Sequence, residues 1–231
     1  MKPGDAPIET GRQTMAWKSA VLSRSEQRKL KREALLREAA AAFNRRGFHA
    51  TSLDDLASNL GVTKAALYYY FPNKQKLLLA CIERVMEAAF RSMERARKEG
   101  VTGREKLHLS LRYYLQEIID ELSCCVVITE ERSLLPEDLA PHIAMRDRYE
   151  KALREFVLMG IEDGSIAPGD PKLIVFTLLG AVNWVPKWFS QNGEWSSNQV
   201  ATAMTELLDR AIAAVPEPSL TVSVKDIPRR A

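Results

Sequence analysis

The sequence predicts an all-α protein of about nine helices, on three observations. Apolar residues recur at intervals of three and four along most of the chain, which is the spacing of one helix face. Glycine and proline divide these stretches into lengths typical of helices. The alternation expected of a β-strand occurs only at residues 221–224, close to the C-terminus.

Membrane and secreted classes are disfavoured by the apolar pattern. The longest apolar run, residues 77–82, has 6 residues, whereas a membrane-spanning helix needs about 18. No apolar signal-peptide core follows the first residues, and 3 cysteines do not suggest a disulfide framework. We therefore expect a cytoplasmic protein without membrane contact. The adjacent Cys124 and Cys125 are open to two interpretations, oxidant-sensing thiols or inert buried ones.

Charge is distributed unevenly along the chain. Residues 1–76 hold 14 Lys/Arg and 7 Asp/Glu, a net charge of +7, whereas residues 77–231 carry a net charge of −4. A basic N-terminal third favours contact with a polyanion. A solvated basic helix face would have the same composition, so charge alone leaves both interpretations open.

The composition divides the chain into four parts. Residues 1–25 and 216–231 combine prolines with scattered polar residues. We expect them to be flexible tails, because they cannot bury enough apolar surface to offset the entropy of ordering. Residues 26–76 and 77–215 are predicted to be an N-terminal and a C-terminal helical domain.

The N-terminal domain begins with a long helix, predicted over residues 25–46. Gly47 follows it at the position of a C-terminal cap. A second, short helix is opened by Thr51 or Ser52, whose side chains suit an N-cap, and Gly61 ends it.

Thr63 is expected to cap a third helix, which is also short. Ala57 lies where the two short helices cross, since a small side chain lets them approach. Val62 and Leu67 are assigned to the inner face. Together, residues 52–71 have the pattern of a helix-turn-helix.

The third helix is predicted to present small residues and tyrosines to solvent. At about 100° per residue, Ala65 and Tyr69 point about 160° away from the inward Leu67, and Ala66 and Tyr68 flank them. Small residues let a helix enter the major groove, which is about 12 Å wide. Tyrosine hydroxyls can bond phosphates. An aromatic cluster is more often core, but the helical phase argues against this for Tyr69.

The rest of the chain is predicted to be helical as well. A long helix over residues 74–98 comes first, and five more follow at about 103–122, 126–135, 137–163, 170–190 and 196–214. The segment 126–135 begins with Val-Val-Ile and could also start a strand.

The N-terminal region, residues 29–86, resembles the DNA-binding domain of the TetR family of bacterial transcription regulators. The matching motifs are Ala39-Ala40-Ala41-Ala42-Phe43, Gly47-Phe48, Thr51-Ser52-Leu53, Leu56-Ala57, Gly61-Val62-Thr63-Lys64 and the run from Leu67 to Leu78. The resemblance implies a homodimeric regulator, a repressor that a small-molecule effector releases from a palindromic double-stranded DNA operator. It also implies that the third helix enters the major groove.

The resemblance implies a set of DNA-contacting positions. They are Thr51, Ser52, Thr63, Lys64, Ala65, Ala66, Tyr68, Tyr69, Tyr70 and Lys74. Some of the basic residues in and just before the first helix are expected to add phosphate or minor-groove contacts, although a solvated basic face is the alternative. They are Arg24, Arg28, Lys29, Lys31 and Arg32.

For the C-terminal domain, the resemblance implies an internal effector pocket and a two-helix dimerisation face. The pocket candidates are Phe90, Leu111, Tyr114, Ile118, Leu122, Ile128, Arg132, Tyr149, Phe156, Asn183, Trp184 and Trp188, most of which would also suit a core. The dimer candidates, for which an intramolecular core is the alternative, are Leu173, Phe176, Leu179, Gly180, Ala203, Leu207, Arg210 and Ala214.

The effector class is suggested by a second, local resemblance. The segment 183–189 places two tryptophans and a lysine around Pro186, which must disturb its helix. With residues 164–171, it looks like regulators that sense acyl-CoA thioesters. That resemblance implies a long apolar slot with basic side chains near phosphate, such as Arg112, Arg132 or Lys187.

Two other function classes remain as alternatives. One is a helical scaffold whose helix-turn-helix contacts only proteins, and the other is a helical-bundle enzyme. No nucleophile–base pair, metal-ligand spacing or phosphate-binding glycine loop is evident, so we expect no catalytic residues, no metal and no cofactor. Glu130, Glu131 and Asp147 are interpreted as solvated or paired surface charges.

Overall fold

The computed structural model describes residues 23–120, 126–190 and 192–214, and within them the predicted all-α class is confirmed. Eight α-helices and one 3-10 segment occur in these ranges. They are α1 (Arg24–Arg46), α2 (Leu53–Asn59), α3 (Lys64–Tyr70), α4 (Lys74–Glu99), α5 (Gly103–Asp120), the 3-10 segment (Val126–Ser133), α6 (Pro136–Glu162), α7 (Pro171–Trp188) and α8 (Ser197–Ile212).

The ends of the N-terminal helices lie where the capping residues predicted them. Ser52 and Thr63 are the N-caps of α2 and α3, and each side chain accepts a hydrogen bond from the backbone N–H three residues on. Gly47 and Gly61 follow α1 and α2 with φ of 82° and 62°. Both angles are unfavourable for a residue with a Cβ, so glycine suits these two turns.

Two expectations about the C-terminal helices are refined by the structure. The segment predicted over residues 126–135 is a 3-10 helix and not a strand. Pro186 does not interrupt α7 at once, since the helix continues to Trp188. Several predicted features lie outside the described residues: Leu122, Cys124, Cys125, the side chain of Ile128, and residues 1–22 and 216–231 of the two predicted tails.

One apolar core runs from the helix-turn-helix into the C-terminal helices. Leu36 of α1, Leu56 of α2 and Leu67 of α3 belong to it, and Leu77 and Leu78 of α4 extend the same cluster toward α5 and α6. The long α4 therefore belongs to both halves of the molecule.

Val62 does not fill this core, so its predicted inner position is wrong. Its side chain is 44% exposed, because Val62 lies in the turn before the N-cap of α3 and not on the helix itself. It lines an apolar surface groove with Leu60 and Ala66.

Within the described ranges, no helix combines the length and the apolarity that crossing a bilayer requires. The same residues contain no group of His, Cys, Asp or Glu side chains arranged to hold a metal ion.

The start of α5 packs against the end of α6 so closely that their backbones are in contact. A methyl group added at Gly103 of α5 would lie 2.1 Å from the nitrogen of Gly160 in α6 and 2.4 Å from the carbonyl oxygen of Phe156. Beside this contact, the Arg104 guanidinium donates two hydrogen bonds to the Asp209 carboxylate of α8, at 2.8 and 2.5 Å. The three helices are thus fixed together at one end.

We expect Gly103→Ala to lower the free energy of unfolding by at least about 2 kcal/mol, because the new methyl group meets backbone atoms that cannot rotate away. Denaturant unfolding measures this change. Gly160→Ala is the comparison, since its methyl group would meet the Ile166 side chain at 2.5 Å. The cost of Gly160→Ala should therefore fall in an Ile166→Ala background, and equal costs in both backgrounds would contradict the packing described.

Candidate nucleic-acid interface and effector cavity

The candidate recognition surface is the outer face of α3, and the structure confirms its predicted orientation. Leu67 is buried, whereas Tyr69 is 65% exposed and Tyr68 and Ala65 are exposed beside it. Ala66 and Tyr70 are partly buried at the edges of this face. The helix therefore shows small side chains at its N-terminal end and tyrosine rings at its C-terminal end.

Lys64, the first residue of α3, forms an ion pair with α2. The Nζ of Lys64 lies 2.8 Å from Oδ2 of Asp54 in α2, and this hydrogen bond raises the pKa of Lys64. Thr63 stays exposed while its hydroxyl caps the helix. The ion pair therefore joins the first residue of α3 to α2.

Basic side chains of α1 lie against the tyrosines of α3. The Arg28 guanidinium lies 5.1 Å from the centre of the Tyr69 ring, a cation–π contact, and the Tyr69 and Tyr70 rings meet edge to face at 5.2 Å. An open cleft of about 680 Å³ runs between the two helices. Its lining includes all five predicted basic residues: Arg24, Arg28, Lys29, Lys31 and Arg32.

Thr51 departs from the expectation of a DNA-contacting side chain. It is 1% exposed, and its hydroxyl donates to the carbonyl oxygens of Gly47 at 2.9 Å and Ala42 at 3.3 Å. The side chain closes the turn between α1 and α2 from inside. Ser52, in contrast, is exposed, with its hydroxyl engaged in capping α2.

Lys74 departs from its expected contact with the DNA backbone. Its ammonium donates to the carbonyl oxygens of Phe48 at 2.9 Å, Thr51 at 3.0 Å and His49 at 3.4 Å. It also lies 4.3 Å from the centre of the Phe48 ring, and burial lowers its pKa. In this arrangement Lys74 ties the start of α4 to the turn between α1 and α2.

The candidate effector cavity has a volume of about 360 Å³ and lies between α4, α5, α6 and α7. Three of the predicted pocket residues line it: Tyr114, Tyr149 and Asn183. The Tyr114 hydroxyl donates to Oδ1 of Asn183 at 3.1 Å. Phe90 does not line the cavity but supports its wall, because its ring meets that of Tyr149 edge to face at 5.5 Å.

The other described pocket candidates lie elsewhere. Leu111, Ile118 and Phe156 are buried in the core and do not line the cavity. Trp184, Trp188 and Arg132 are exposed. The cavity is lined by none of the basic residues predicted near phosphate: Arg112, Arg132 and Lys187.

Sequence reasoning missed several residues of this cavity. Met86 and Ala89 of α4 form part of the wall, and His142, Arg146, Asp147 and Glu150 of α6 supply most of its polar groups. Three of these residues, His142, Arg146 and Glu150, recur at intervals of four, and Asp147 is adjacent to Arg146, which is a signal for one helix face. Because its members are polar, such a face is more typical of a solvated surface than of a cavity wall.

The polar groups of the cavity are partly engaged within the chain. Both ring nitrogens of the buried His142 lack a hydrogen-bond partner, although Nε2 lies 3.5 Å from Oε2 of Glu131. Burial lowers the pKa of His142, and Glu131 partly opposes the shift. Burial also raises the pKa of Tyr149, whose hydroxyl faces that of Ser110. Buried polar groups without partners can form hydrogen bonds with a molecule in the cavity.

The predicted dimer face is an exposed stripe on α7 and α8. Leu173 and Phe176 are exposed, as are Gly180 on the same side of α7 and Leu207 and Arg210 on α8. Leu179, Ala203 and Ala214 are partly buried. Phe176 and Leu179 also line the cavity, so the stripe and the cavity share a wall. Trp184 and Trp188 lie outside the cavity and continue this stripe.

Two family models match the chain. The model of bacterial regulatory proteins of the tetR family matches residues 35–81, which contain α2 and α3. The model of the tetracyclin repressor-like C-terminal domain matches residues 100–212, which contain α5 to α8. Together they cover both the recognition surface and most of the cavity.

Individual relatives agree with these matches. The HTH-type transcriptional repressor KstR2 of Mycolicibacterium smegmatis is 25% identical over 174 residues, which are 74% of this chain and 84% of that protein. The TetR family transcriptional regulator PfmR from Thermus thermophilus has a similar structure, with 32% identity, a TM-score of 0.65 and coverage of 76% and 97% of the two chains. The structure of AibR in complex with isovaleryl coenzyme A and operator DNA matches with 27% identity, a TM-score of 0.65 and coverage of 76% and 96%.

The contacts of the two lysines near α3 predict opposite phenotypes. We expect Lys74→Met to lower the free energy of unfolding by about 1–2 kcal/mol, because it leaves carbonyl acceptors without their donor. It should leave the salt dependence of DNA binding unchanged. Lys64→Met should instead reduce the slope of log affinity against log salt by about 1, as expected of a lost phosphate contact, with little effect on stability. Denaturant unfolding and salt titrations by fluorescence anisotropy measure both quantities. A reduced salt slope for Lys74→Met would show that Lys74 reaches phosphate after all.

Proposed function

Because this chain belongs to the TetR family of bacterial transcriptional regulators, we propose that it binds its operator through α3 and leaves it when a small molecule occupies the cavity. The outer face of α3 is the observation that carries the proposal. A helix that exposes Ala65, Tyr68 and Tyr69 while burying Leu67 offers a narrow, hydrogen-bonding edge to a groove. The basic cleft beside it suits the adjacent phosphates.

The operator-binding form is proposed to be a homodimer. Leu173, Phe176, Gly180, Trp184 and Trp188 form one exposed stripe along α7, and an apolar stripe of this length needs a covering surface. A second copy related by a two-fold axis supplies one, in a four-helix contact of α7 and α8 with their counterparts. Two copies of α3 would then address successive major grooves, about 34 Å apart, on a palindromic operator.

The effector is proposed to be a small acyl-CoA. The AibR structure contains isovaleryl coenzyme A, and the cavity here has apolar walls from Met86, Ala89 and Leu179. Its volume of about 360 Å³ lies near the lower end of ligand pockets, about 300–1,000 Å³. A cavity of this size suits the acyl group, and the nucleotide part of the molecule would lie outside it. Arg146, which lines the cavity, would be the basic residue nearest to the bound molecule.

We expect Tyr69→Ala to weaken operator binding at least about fivefold, since a lost hydrogen-bonding and packing group in the groove costs roughly 1–3 kcal/mol. Fluorescence anisotropy with DNA from upstream of the chain's own gene measures the affinity. Tyr69→Phe separates the hydroxyl from the ring, and Tyr113→Ala, on α5, is the control that should bind as the wild type does. Undiminished binding by Tyr69→Ala would remove α3 from the interface.

We expect isovaleryl coenzyme A, or a longer acyl-CoA, to raise the melting temperature and to release the operator, whereas coenzyme A alone should do neither. Ala89→Phe should abolish both effects, because the larger side chain fills the cavity. A panel that includes neutral lipophiles tests the effector class by thermal shift. Stabilisation by the lipophiles, with none from any acyl-CoA, would contradict the proposed class but leave the DNA-binding role standing.

A further inference from the structure

Two adjacent glutamates on the 3-10 segment contact different parts of the molecule. Oε1 of Glu130 accepts a hydrogen bond from the backbone N–H of Phe48, in the turn between α1 and α2, at 3.4 Å. Oε2 and Oε1 of Glu131 accept from Nη1 of Arg146, on the cavity wall, at 2.8 and 3.0 Å. One peptide unit therefore separates a contact to the DNA-binding domain from a contact to the effector cavity.

The position of the 3-10 segment supports a connecting role. It packs against α1, α4 and α7. The hydroxyl of Ser133, at its end, lies 3.3 Å from Nε2 of His49, in the same turn as Phe48. Lys76 of α4 and Asp138 of α6 form an ion pair at 2.7 Å. The segment thus lies between the cavity helices and the N-terminal domain.

The turn that Glu130 contacts controls where α2 and α3 lie. Its carbonyl oxygens at Phe48 and Thr51 accept from Lys74, and its Gly47 carbonyl accepts from the buried Thr51 hydroxyl. The Arg46 guanidinium, just before the turn, donates to the Asp55 carboxylate of α2 at 3.3 Å. A displacement of the turn would therefore change the position of α2, and α3 packs on α2.

We propose that Glu130 and Glu131 couple the cavity to this turn. An occupant with an oxygen acceptor would compete with Glu131 for Arg146 and His142. Loss of the Glu131 contacts would let the 3-10 segment shift. This shift would weaken the hydrogen bond from the Phe48 N–H to Glu130. This proposal rests on the proposed function for its biological output, but the coupling itself is a property of the ligand-free chain.

An alternative route runs along α4 directly, because Met86 and Ala89 of α4 also line the cavity. The two routes differ in their dependence on Glu130. Coupling through the glutamates disappears when Glu130 is removed, whereas coupling along α4 persists. An experiment that breaks the cavity contact with and without Glu130 therefore separates them.

The experiment measures amide hydrogen exchange at Phe48 by NMR in the ligand-free full chain. We expect Arg146→Met to accelerate this exchange at least about threefold relative to the wild type, since a weakened hydrogen bond opens more often. Arg148→Met is the matched control, because it removes the same charge from the same helix while its guanidinium stacks on the Phe90 ring at 4.7 Å. It should leave exchange at Phe48 unchanged. In a Glu130→Ala background, which accelerates exchange itself, Arg146→Met should add almost nothing.

Each contrary outcome overturns the proposal. No acceleration by Arg146→Met, equal acceleration by Arg148→Met, or an undiminished effect in the Glu130→Ala background would each show that the glutamates do not couple the two sites. If Arg146→Met does not fold cooperatively, Arg146→Lys replaces it, because lysine keeps the charge without the guanidinium geometry. The exchange readout requires no operator. Failure of the wild type to bind DNA would therefore contradict the proposed function without deciding this inference.

Discussion

The burial of Leu67 is the constraint on which the candidate recognition surface depends. A helix as short as α3 is not stable by itself in water, so its position is set by packing and caps. Burying one leucine contributes about 1.5–3 kcal/mol and fixes the rotation of the helix about its axis. With Leu67 turned inward, Tyr69 and Ala65 must turn outward. The Thr63 cap then fixes where the helix begins.

The turn between α1 and α2 is held by side chains from three parts of the chain. Thr51 fills it from inside, Lys74 bonds its carbonyl oxygens from α4, and Glu130 reaches it from the C-terminal domain. Three parts of the chain that are far apart in sequence thus meet at a few backbone atoms. Since buried backbone groups must be paired, these polar side chains hold the turn in one conformation.

The cavity and the predicted dimer face both depend on α7. Leu179 lines the cavity, Leu173 and Trp184 lie along the exposed stripe, and Phe176 belongs to both surfaces. A helix shared in this way makes the proposed dimer contact sensitive to what fills the cavity. Because close-packed interiors transmit strain, a bound molecule that displaces α7 would also alter the stripe.

The helices, their caps and the outward phase of Tyr69 can be predicted from local sequence, because helical periodicity and capping depend on residues within one or two turns. The motif between residues 52 and 71 is likewise local. Three features follow instead from the packing of the folded chain: Thr51 and Lys74 hold a turn, Val62 lies outside the core, and Trp184 faces solvent. The neighbours that decide these positions come from other helices and turns. A lysine such as Lys74 can bind either a phosphate or a carbonyl oxygen, and only the packing around it shows which contact it makes. The polar cavity face of α6 was undetectable for the same reason, since a polar stripe faces water unless another helix covers it.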